Sequence, residues 1–240
     1  MKRLFILVVI AFSFALNAQS QSIDPYSEVG LMLGTSYYIG DLNDQHFRLA
    51  QPASSIQYKT NLNRRFALRG SLSLGEIRGS DKLNDIDTAK FNRNLHFKSS
   101  IYELSGVVEF NFFPYETGNK RYPFTPYIFS GFSLFNFNPQ ARKTDTQNPF
   151  DRDGDDSNNP WLDLQPLGTE GQYSTRYPEK DPYQLIQVAI PIGVGLKASL
   201  GDNLSIALEY GIRKVFTDYL DDVGGIYASP QYLAMENIDA

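Results

Sequence analysis

The chain has 240 residues, a formal net charge of -5 and no cysteine. The acidic balance argues against a nucleic-acid partner, and the lack of cysteine excludes a disulfide scaffold and thiol chemistry. Its 15 Tyr and 17 Phe suit the surfaces of β-sheets, and the length fits one all-β domain.

The N-terminal residues predict a cleaved signal peptide. Lys2 and Arg3 precede an uncharged, mostly apolar stretch over 4–16, and the small residue Ala18 offers a cleavage edge. The apolar stretch is shorter than the roughly 20 residues that a spanning helix needs. We therefore predict a signal peptide over 1–18 and an exported β-barrel domain over 19–240.

Seven segments that alternate between apolar and polar residues follow the signal. Alternation with a period of two predicts antiparallel strands, each with one apolar and one polar face. The fifth segment is aromatic on both faces. The predicted strands are 29–40, 53–60, 66–77, 97–113, 124–137, 185–200 and 204–217.

The connections between the predicted strands alternate in length. Short connections lie at 61–65, 114–123 and 201–203, and long ones at 41–52, 78–96 and 138–183. Tight periplasmic turns and longer external loops are typical of outer-membrane barrels, and a chain that enters from the periplasm gives this order. The pattern predicts an antiparallel up-and-down transmembrane β-barrel of the eight-stranded type, in contact with the lipid of the cell outer membrane.

Six charged residues of these strands lie opposite the aliphatic face and would point into the barrel lumen. The interior of an eight-stranded barrel is narrow, so we expect a structural network of paired charges. Ion or proton passage is the functional alternative, and a water-soluble sandwich would show the same alternation. The predicted network consists of Arg69, Glu103, Glu109, Lys197, Glu209 and Arg213.

Two further expectations concern the ends of the strands. Aromatic residues near strand ends could form interfacial girdles. The residues after 217 include Gly224, Gly225 and Pro230 and predict no closing strand, so we expect a barrel domain that is incomplete at its C-terminus, with open edges at the first and seventh strands. The predicted girdle residues are Tyr37, Tyr38, Phe112, Phe113, Phe124 and Phe216.

An enzyme is the competing class of protein. His46 and His96 are the two histidines, and a histidine beside a carboxylate can act as a general base. No nucleophile motif accompanies them, so we expect two loop histidines and no enzymatic activity. The polar residues not far from them in sequence are Asp41, Asp44, Ser99 and Ser100.

An aspartate-rich stretch raises the question of calcium binding. Calcium prefers several carboxylate oxygens on a flexible turn, and an EF-type loop has Gly at its sixth and Glu at its twelfth position. Here Gly154 is fourth and Leu162 is twelfth, so we predict a solvated acidic loop and no metal or cofactor. The aspartates are Asp151, Asp153, Asp155 and Asp156.

Four segments carry a family resemblance. They are GTSYYIGDLN at 34–43, YELSGVVEFNFFPYE at 102–116, FTPYIFSGFSLFNFNPQA at 124–141 and IPIGVGLKASLGDNLSIALEYGIRKVFTDYLDDV at 190–223. Together they resemble the PorG-like outer-membrane barrel family of Bacteroidetes, one of whose members belongs to the type IX secretion system. The resemblance implies a non-enzymatic structural role, in which a barrel ties the periplasmic ring of the secretion machinery to the outer membrane.

The longest predicted periplasmic turn is the expected docking surface for periplasmic secretion-ring proteins. It spans 114–123 and contains Glu116, Lys120 and Arg121. The alternative is a general adhesion or envelope barrel, in which the external loop over 138–183 would bind an extracellular ligand.

Overall fold

The computed structural model describes residues 24–81, 95–142, 160–173 and 180–225. These residues form one antiparallel sheet and two short 3-10 turns, Gln165–Leu167 and Tyr219–Asp221. The predicted signal peptide and the four aspartates of the predicted acidic loop lie outside the described residues. The strands are β1 (Tyr26–Ser36), β2 (Gln51–Asn61), β3 (Phe66–Ser80), β4 (His96–Asn111), β5 (Phe124–Arg142), β6 (Trp161–Asp163), β7 (Ile186–Ser199) and β8 (Ser205–Val215).

The sheet has the up-and-down order β1-β2-β3-β4-β5-β7-β8, and each strand is antiparallel to its neighbours. The seven long strands correspond to the seven predicted ones, so the predicted all-β antiparallel architecture is confirmed. The short strand β6 pairs with the end of β5 and was not predicted. Within the described ranges, β1 and β8 are the edge strands.

The sheet curls into a half-barrel, so that its two edges approach each other. The hydroxyl groups of Tyr37, just after β1, and Tyr210, on β8, lie 2.8 Å apart. Towards the opposite end of the same edges, the hydroxyl of Ser205 lies 3.5 Å from a carboxylate oxygen of Glu28. Side chains therefore bridge the gap between the two edge strands.

Alternation gives the curled sheet an apolar outer face and a polar inner face, as the period of two requires. Outward side chains of the central strand segments are exposed aliphatic or aromatic groups. Val29 is 79% exposed, Leu208 74% and Phe132 72%. The inner face is largely buried and carries the charged residues at mid-height of the strands. We call the outer set the apolar belt: it includes Leu31, Leu33, Ile56, Leu68, Leu72, Leu74, Tyr102, Leu104, Val108, Ile128, Leu134, Val188, Ile192, Val194, Leu196, Ile206 and Ile212.

The connections define two different ends. Residues 62–65, 112–123 and 200–204 join strands at what we call the short-turn end, and the other connections lie at the opposite, long-loop end. Of the predicted girdle residues, Phe112, Phe113, Phe124 and Phe216 are exposed near strand ends.

Tyr38 is a correction to the predicted girdle. Its side chain is 8% exposed and points into the mouth of the half-barrel at the long-loop end. Strand β1 ends at Ser36, and the chain then turns inward. The alternation of residues along β1 puts Tyr38 on the same face as Gly34 and Ser36, and this position, rather than the aromatic character of the side chain, explains its burial.

Candidate functional site

The inner face carries a chain of ion pairs at mid-height of the strands. Glu109 on β4 lies between two cations: one carboxylate oxygen is 2.7 Å from Nζ of Lys197, and the other is 3.0 Å from Nη1 of Arg69. Arg69 also forms a two-point ion pair with Glu209 on β8, across the lumen. The four side chains are buried. Charges in such a low-dielectric interior need partners, because pairing offsets the cost of removing them from water.

A second pair links β8 to β4 nearer the long-loop end. Nη2 of Arg213 lies 3.1 Å from Oε1 of Glu103. The side chain of Arg213 is 46% exposed, because β8 is an edge strand, whereas Glu103 is buried. The structure thus places all six residues of the predicted lumenal network on the inner face and joins them in two groups.

Sequence reasoning missed one pair of this interior. Nζ of Lys59 on β2 lies 2.7 Å from a carboxylate oxygen of Glu28 on β1, and Glu28 also accepts hydrogen bonds from Asn61 and Thr117. Glu28 precedes the predicted start of the first strand at 29. Lys59 lies opposite Tyr58 in the alternation of β2, and that signal could have identified it.

Aromatic rings fill the space between the charges. The ring of Phe129 lies 4.8 Å from Cζ of Arg69, and the ring of Tyr127 lies 4.6 Å from Nζ of Lys197. The hydroxyl of Tyr127 donates a hydrogen bond to Glu209. A Cβ at Gly195 on β7 would lie 2.5 Å from the ring of Tyr127, so only glycine lets this ring lie flat against β7. The interior is packed with rings and paired charges.

The turn between β4 and β5 folds across the short-turn end. Tyr115 is 1% exposed, and the hydroxyl of Thr117 donates a 2.8 Å hydrogen bond to Glu28 on β1. The N–H of Gly118 donates to Oγ of Ser199 at the end of β7. Gly118 has a φ of 84° and lies against the carbonyl of Asp202, so a side chain there would be strained and crowded. The turn therefore covers this end of the lumen.

The three predicted docking residues lie on this turn but differ in their surroundings. Glu116 accepts hydrogen bonds from Nε of Arg64, 2.9 Å away, and from the side chain of Asn119. Lys120 and Arg121 are exposed at the tip of the turn, with Arg121 5.6 Å from the ring of Tyr122. Glu116 thus joins two neighbouring turns, whereas the two cations face outward.

A plug closes the long-loop end. After β8 the chain turns inward, and Leu220 and Val223 pack against Tyr38, Ile77 and Phe97. We call residues 217–225 the plug segment. It belongs to the FTDYLDDV part of the resemblance, and it meets the GDLN part, because Leu42 lies in the same cluster. Two segments far apart in sequence therefore share one buried contact at the mouth.

Buried carboxylates hold the plug segment through tyrosine hydroxyls. The hydroxyl of Tyr38 donates a 2.6 Å hydrogen bond to Asp221, and that of Tyr183 donates a 2.6 Å bond to Asp222. Burial raises the pKa of Asp221 to about 6 and raises the pKa of Asp222 above its ordinary value. Burial, with the nearby Asp221 carboxylate, also raises the pKa of Tyr38.

A third carboxylate anchors the end of the plug segment. Glu170 is 1% exposed and accepts hydrogen bonds from the N–H groups of Gly224 and Gly225, at 3.0 and 2.6 Å. It also accepts from the hydroxyl of Tyr219, whose ring stacks on Tyr183 at 4.8 Å. Burial and Glu170 raise the pKa of Tyr219. This arrangement could not be predicted from alternation, because its partners come from loops.

The two histidines lie at the long-loop end in different surroundings. Nδ1 of His46 lies 3.2 Å from the hydroxyl of Tyr37, and Nε2 of His96 accepts a hydrogen bond from the N–H of Arg142. Within the described ranges, no group of three His, Asp or Glu side chains is placed to hold a metal ion. In the part of the chain that the structure describes, no helix is long and apolar enough to cross a membrane.

The fold and its interior define an all-β protein with an up-and-down antiparallel sheet, curled around a core of paired charges. Residues 2–158 match the model of the family described as "Domain of unknown function (DUF6089)". The chain belongs to that family. No curated protein and no solved structure matches the chain.

Proposed function

We propose that this chain is a non-enzymatic β-barrel of the bacterial outer membrane, with its apolar belt in contact with lipid. The observation that carries the proposal is the exposure of that belt. Soluble proteins rarely expose contiguous apolar patches beyond a few hundred Å². Along this sheet, aliphatic side chains on neighbouring strands form a continuous outer surface, and the charges lie inside. A water-soluble sandwich would instead cover its aliphatic face with a second sheet.

The packed interior supports a structural role. Glu109 and Glu209 neutralise Lys197 and Arg69, and the rings of Tyr127 and Phe129 fill the space around them. Covers lie at both ends of the lumen, formed by the β4–β5 turn and the plug segment. A barrel filled and covered in this way leaves no open passage through its lumen, so we expect it to act through contacts on its surface. Steady conductance in single-channel recordings would contradict this expectation.

The particular role we propose is in type IX protein secretion, where the barrel links the periplasmic ring to the outer membrane. The support is the resemblance to the PorG-like family, together with the buried contact between two of the segments that carry it. In the proposed topology the short-turn end faces the periplasm. Lys120 and Arg121 are then exposed cations on the periplasmic side of the barrel.

Site-specific cross-linking in whole cells tests both levels of the proposal. A photoreactive residue at Lys120 should capture periplasmic ring proteins, and a matched probe at Phe47, exposed at the long-loop end, should not. Capture of extracellular material alone, through the loops, would favour an adhesion barrel instead. Recovery of the mature chain as a monomer in detergent-free solution would overturn the membrane location itself.

A further inference from the structure

Two tyrosines form the contact between the open edges of the sheet at the long-loop end. Within the described residues, no backbone ladder joins β1 to β8. The hydroxyl of Tyr37, which directly follows β1, lies 2.8 Å from the hydroxyl of Tyr210 on β8. The two phenols are 173 residues apart in the sequence. A contact between side chains therefore joins the first strand to the last.

The loop after β1 holds these two phenols together. The ring of Phe47 lies 5.0 Å from the ring of Tyr37 and 6.3 Å from that of Tyr210. The backbone of Phe47 has a φ of 62°, in the left-handed region that bulky residues rarely adopt. Strain of this kind persists only where the surroundings impose it, and it is concentrated at functional sites. The strained loop thus keeps one ring packed against both tyrosines.

A histidine of the same loop provides a proton acceptor. Nδ1 of His46 lies 3.2 Å from the hydroxyl of Tyr37. The two distances fit a relay in which Tyr210 donates to Tyr37 and Tyr37 donates to the imidazole. A phenol loses an electron more readily when its proton moves at the same time to a hydrogen-bonded base, and a neutral imidazole is such a base. We call Tyr37, Tyr210, His46 and Phe47 the seam cluster.

We infer that the seam cluster is a site of oxidative cross-linking, at which hydrogen peroxide and a haem peroxidase convert Tyr37 and Tyr210 into dityrosine. Each phenol loses one electron and one proton. The two phenoxyl radicals join through a C–C bond between carbons ortho to the hydroxyls, and the hydrogens on those carbons then move to the oxygens. One hydrogen peroxide accepts the two electrons and two protons and gives two molecules of water. The fold favours this coupling because it already holds the two rings together.

The new bond would join the two edges of the sheet covalently. Closing so long a loop restricts the unfolded chain, and an edge that is held closed is less open to pairing with another chain. Tyr210 is 43% exposed, so an oxidant can reach the pair. The inference does not depend on the proposed membrane location, and the test uses the folded chain in detergent.

The full chain, folded in detergent at low concentration, is treated with a haem peroxidase and hydrogen peroxide. The expected product is a monomer that is lighter by two hydrogen atoms, and mass spectrometry of its digest should link the peptides of Tyr37 and Tyr210. Tyr37→Phe and Tyr210→Phe should each abolish this product, because phenylalanine keeps the ring but forms no phenoxyl radical. Tyr102→Phe is the matched control, since Tyr102 is 59% exposed on the outer face but lies outside the seam cluster, and the yield should not change.

His46→Gln should slow formation of the same bond by about tenfold, because a glutamine cannot take the phenolic proton. Unfolding the chain in urea before oxidation should remove the preference for the pair Tyr37–Tyr210. Three results would overturn the inference: no dityrosine in the parent chain, dityrosine between other tyrosines or between separate molecules as the main product, or an equal yield of the Tyr37–Tyr210 link from the unfolded chain.

Discussion

At the scale of single residues, Glu109 is the acid on which the interior network converges. Its side chain is 2% exposed and lies between Lys197 and Arg69. The free-energy cost of burying a charge is offset when its partners are buried beside it. Removing one partner leaves the remaining charge uncompensated. The network therefore depends on its central member more than on any exposed pair.

Glu109→Gln should lower the free energy of unfolding by about 3–5 kcal/mol, because two buried cations lose their shared anion. Denaturant titration in lipid or detergent measures the change. Glu76→Gln is the matched control: it breaks the pair with Arg78, whose side chain is 44% exposed, and should change stability by less than about 1 kcal/mol. Equal losses in the two variants would contradict the network.

Asp221 should make the plug segment sensitive to pH. Burial raises its pKa from 3.8 to about 6, and Tyr38 and Asp41 are the titratable groups that face it from the loop after β1. A raised folded-state pKa means that docking is most stable below pH 3.8 and loses about 3 kcal/mol as pH rises through about 6.

Amide hydrogen exchange at residues 222–225, corrected for the intrinsic pH dependence of exchange, measures this effect. Protection should fall between about pH 4 and 6.5 in the parent chain. Asp221→Asn should remove most of that fall, and Asp218→Asn, an exposed neighbour in the same segment, should not alter it. A parent chain whose protection rises over that range would refute the assignment.

At the scale of elements, the β4–β5 turn does more than connect two strands. Thr117 and Gly118 in this turn bind β1 and the end of β7, so the turn ties together parts of the sheet that are not paired by backbone hydrogen bonds. The carboxylate of Glu28 accepts a hydrogen bond from Thr117 of the turn and forms an ion pair with Lys59. The turn thus contributes to the curvature of the whole sheet.

Thr117→Val should destabilise the fold by about 1.5–3 kcal/mol, because Glu28 would lose a buried hydrogen bond to a charged acceptor. Thr60→Val supplies the comparison: Thr60 contacts Ser27 in an exposed position, and its loss should fall within about 0.5 kcal/mol. Thermal unfolding followed by circular dichroism distinguishes the two. Similar melting shifts would show that the turn does not hold the edge strand.

Elements differ in how far the sequence predicts them. The seven long strands follow from alternation, because each has one buried and one exposed face. The three-residue strand β6 escapes prediction, since it is too short to alternate and forms only by pairing with β5. The plug segment is likewise hidden, because Gly224 and Gly225 indicate a loop, and their role as donors to Glu170 depends on a distant segment.

At the scale of the whole molecule, the two faces of one sheet account for the proposed environment. The outer face is aliphatic between the strand ends, and the inner face carries Lys59, Arg69, Lys197 and Arg213 against the same number of glutamates. Six of these eight charges follow from alternation in the sequence. Their pairing does not, because it depends on the curl that brings β8 opposite β3.

The substitution Leu104→Arg tests whether the outer face of the sheet contacts lipid or water. Leu104 is an outward residue of the apolar belt, and an arginine there should lower the stability of the bilayer-inserted form by about 2–4 kcal/mol. Ser100→Arg, on the same face of the same strand but above the belt, should lower it by no more than about 1 kcal/mol. Folding titrations into lipid vesicles give both values. An unchanged or improved yield for Leu104→Arg would refute the lipid-facing belt.

The cross-lumen contact between Arg69 and Glu209 also constrains how such a wall could assemble. A lone hairpin that entered hydrocarbon would carry its unpaired charges and open backbone edges into the lipid, where both are expensive. Partner charges on β3 and β8 meet only after the intervening strands have joined. Insertion should therefore be concerted: the strands cross the bilayer together, in a single kinetic phase, as their charges find one another.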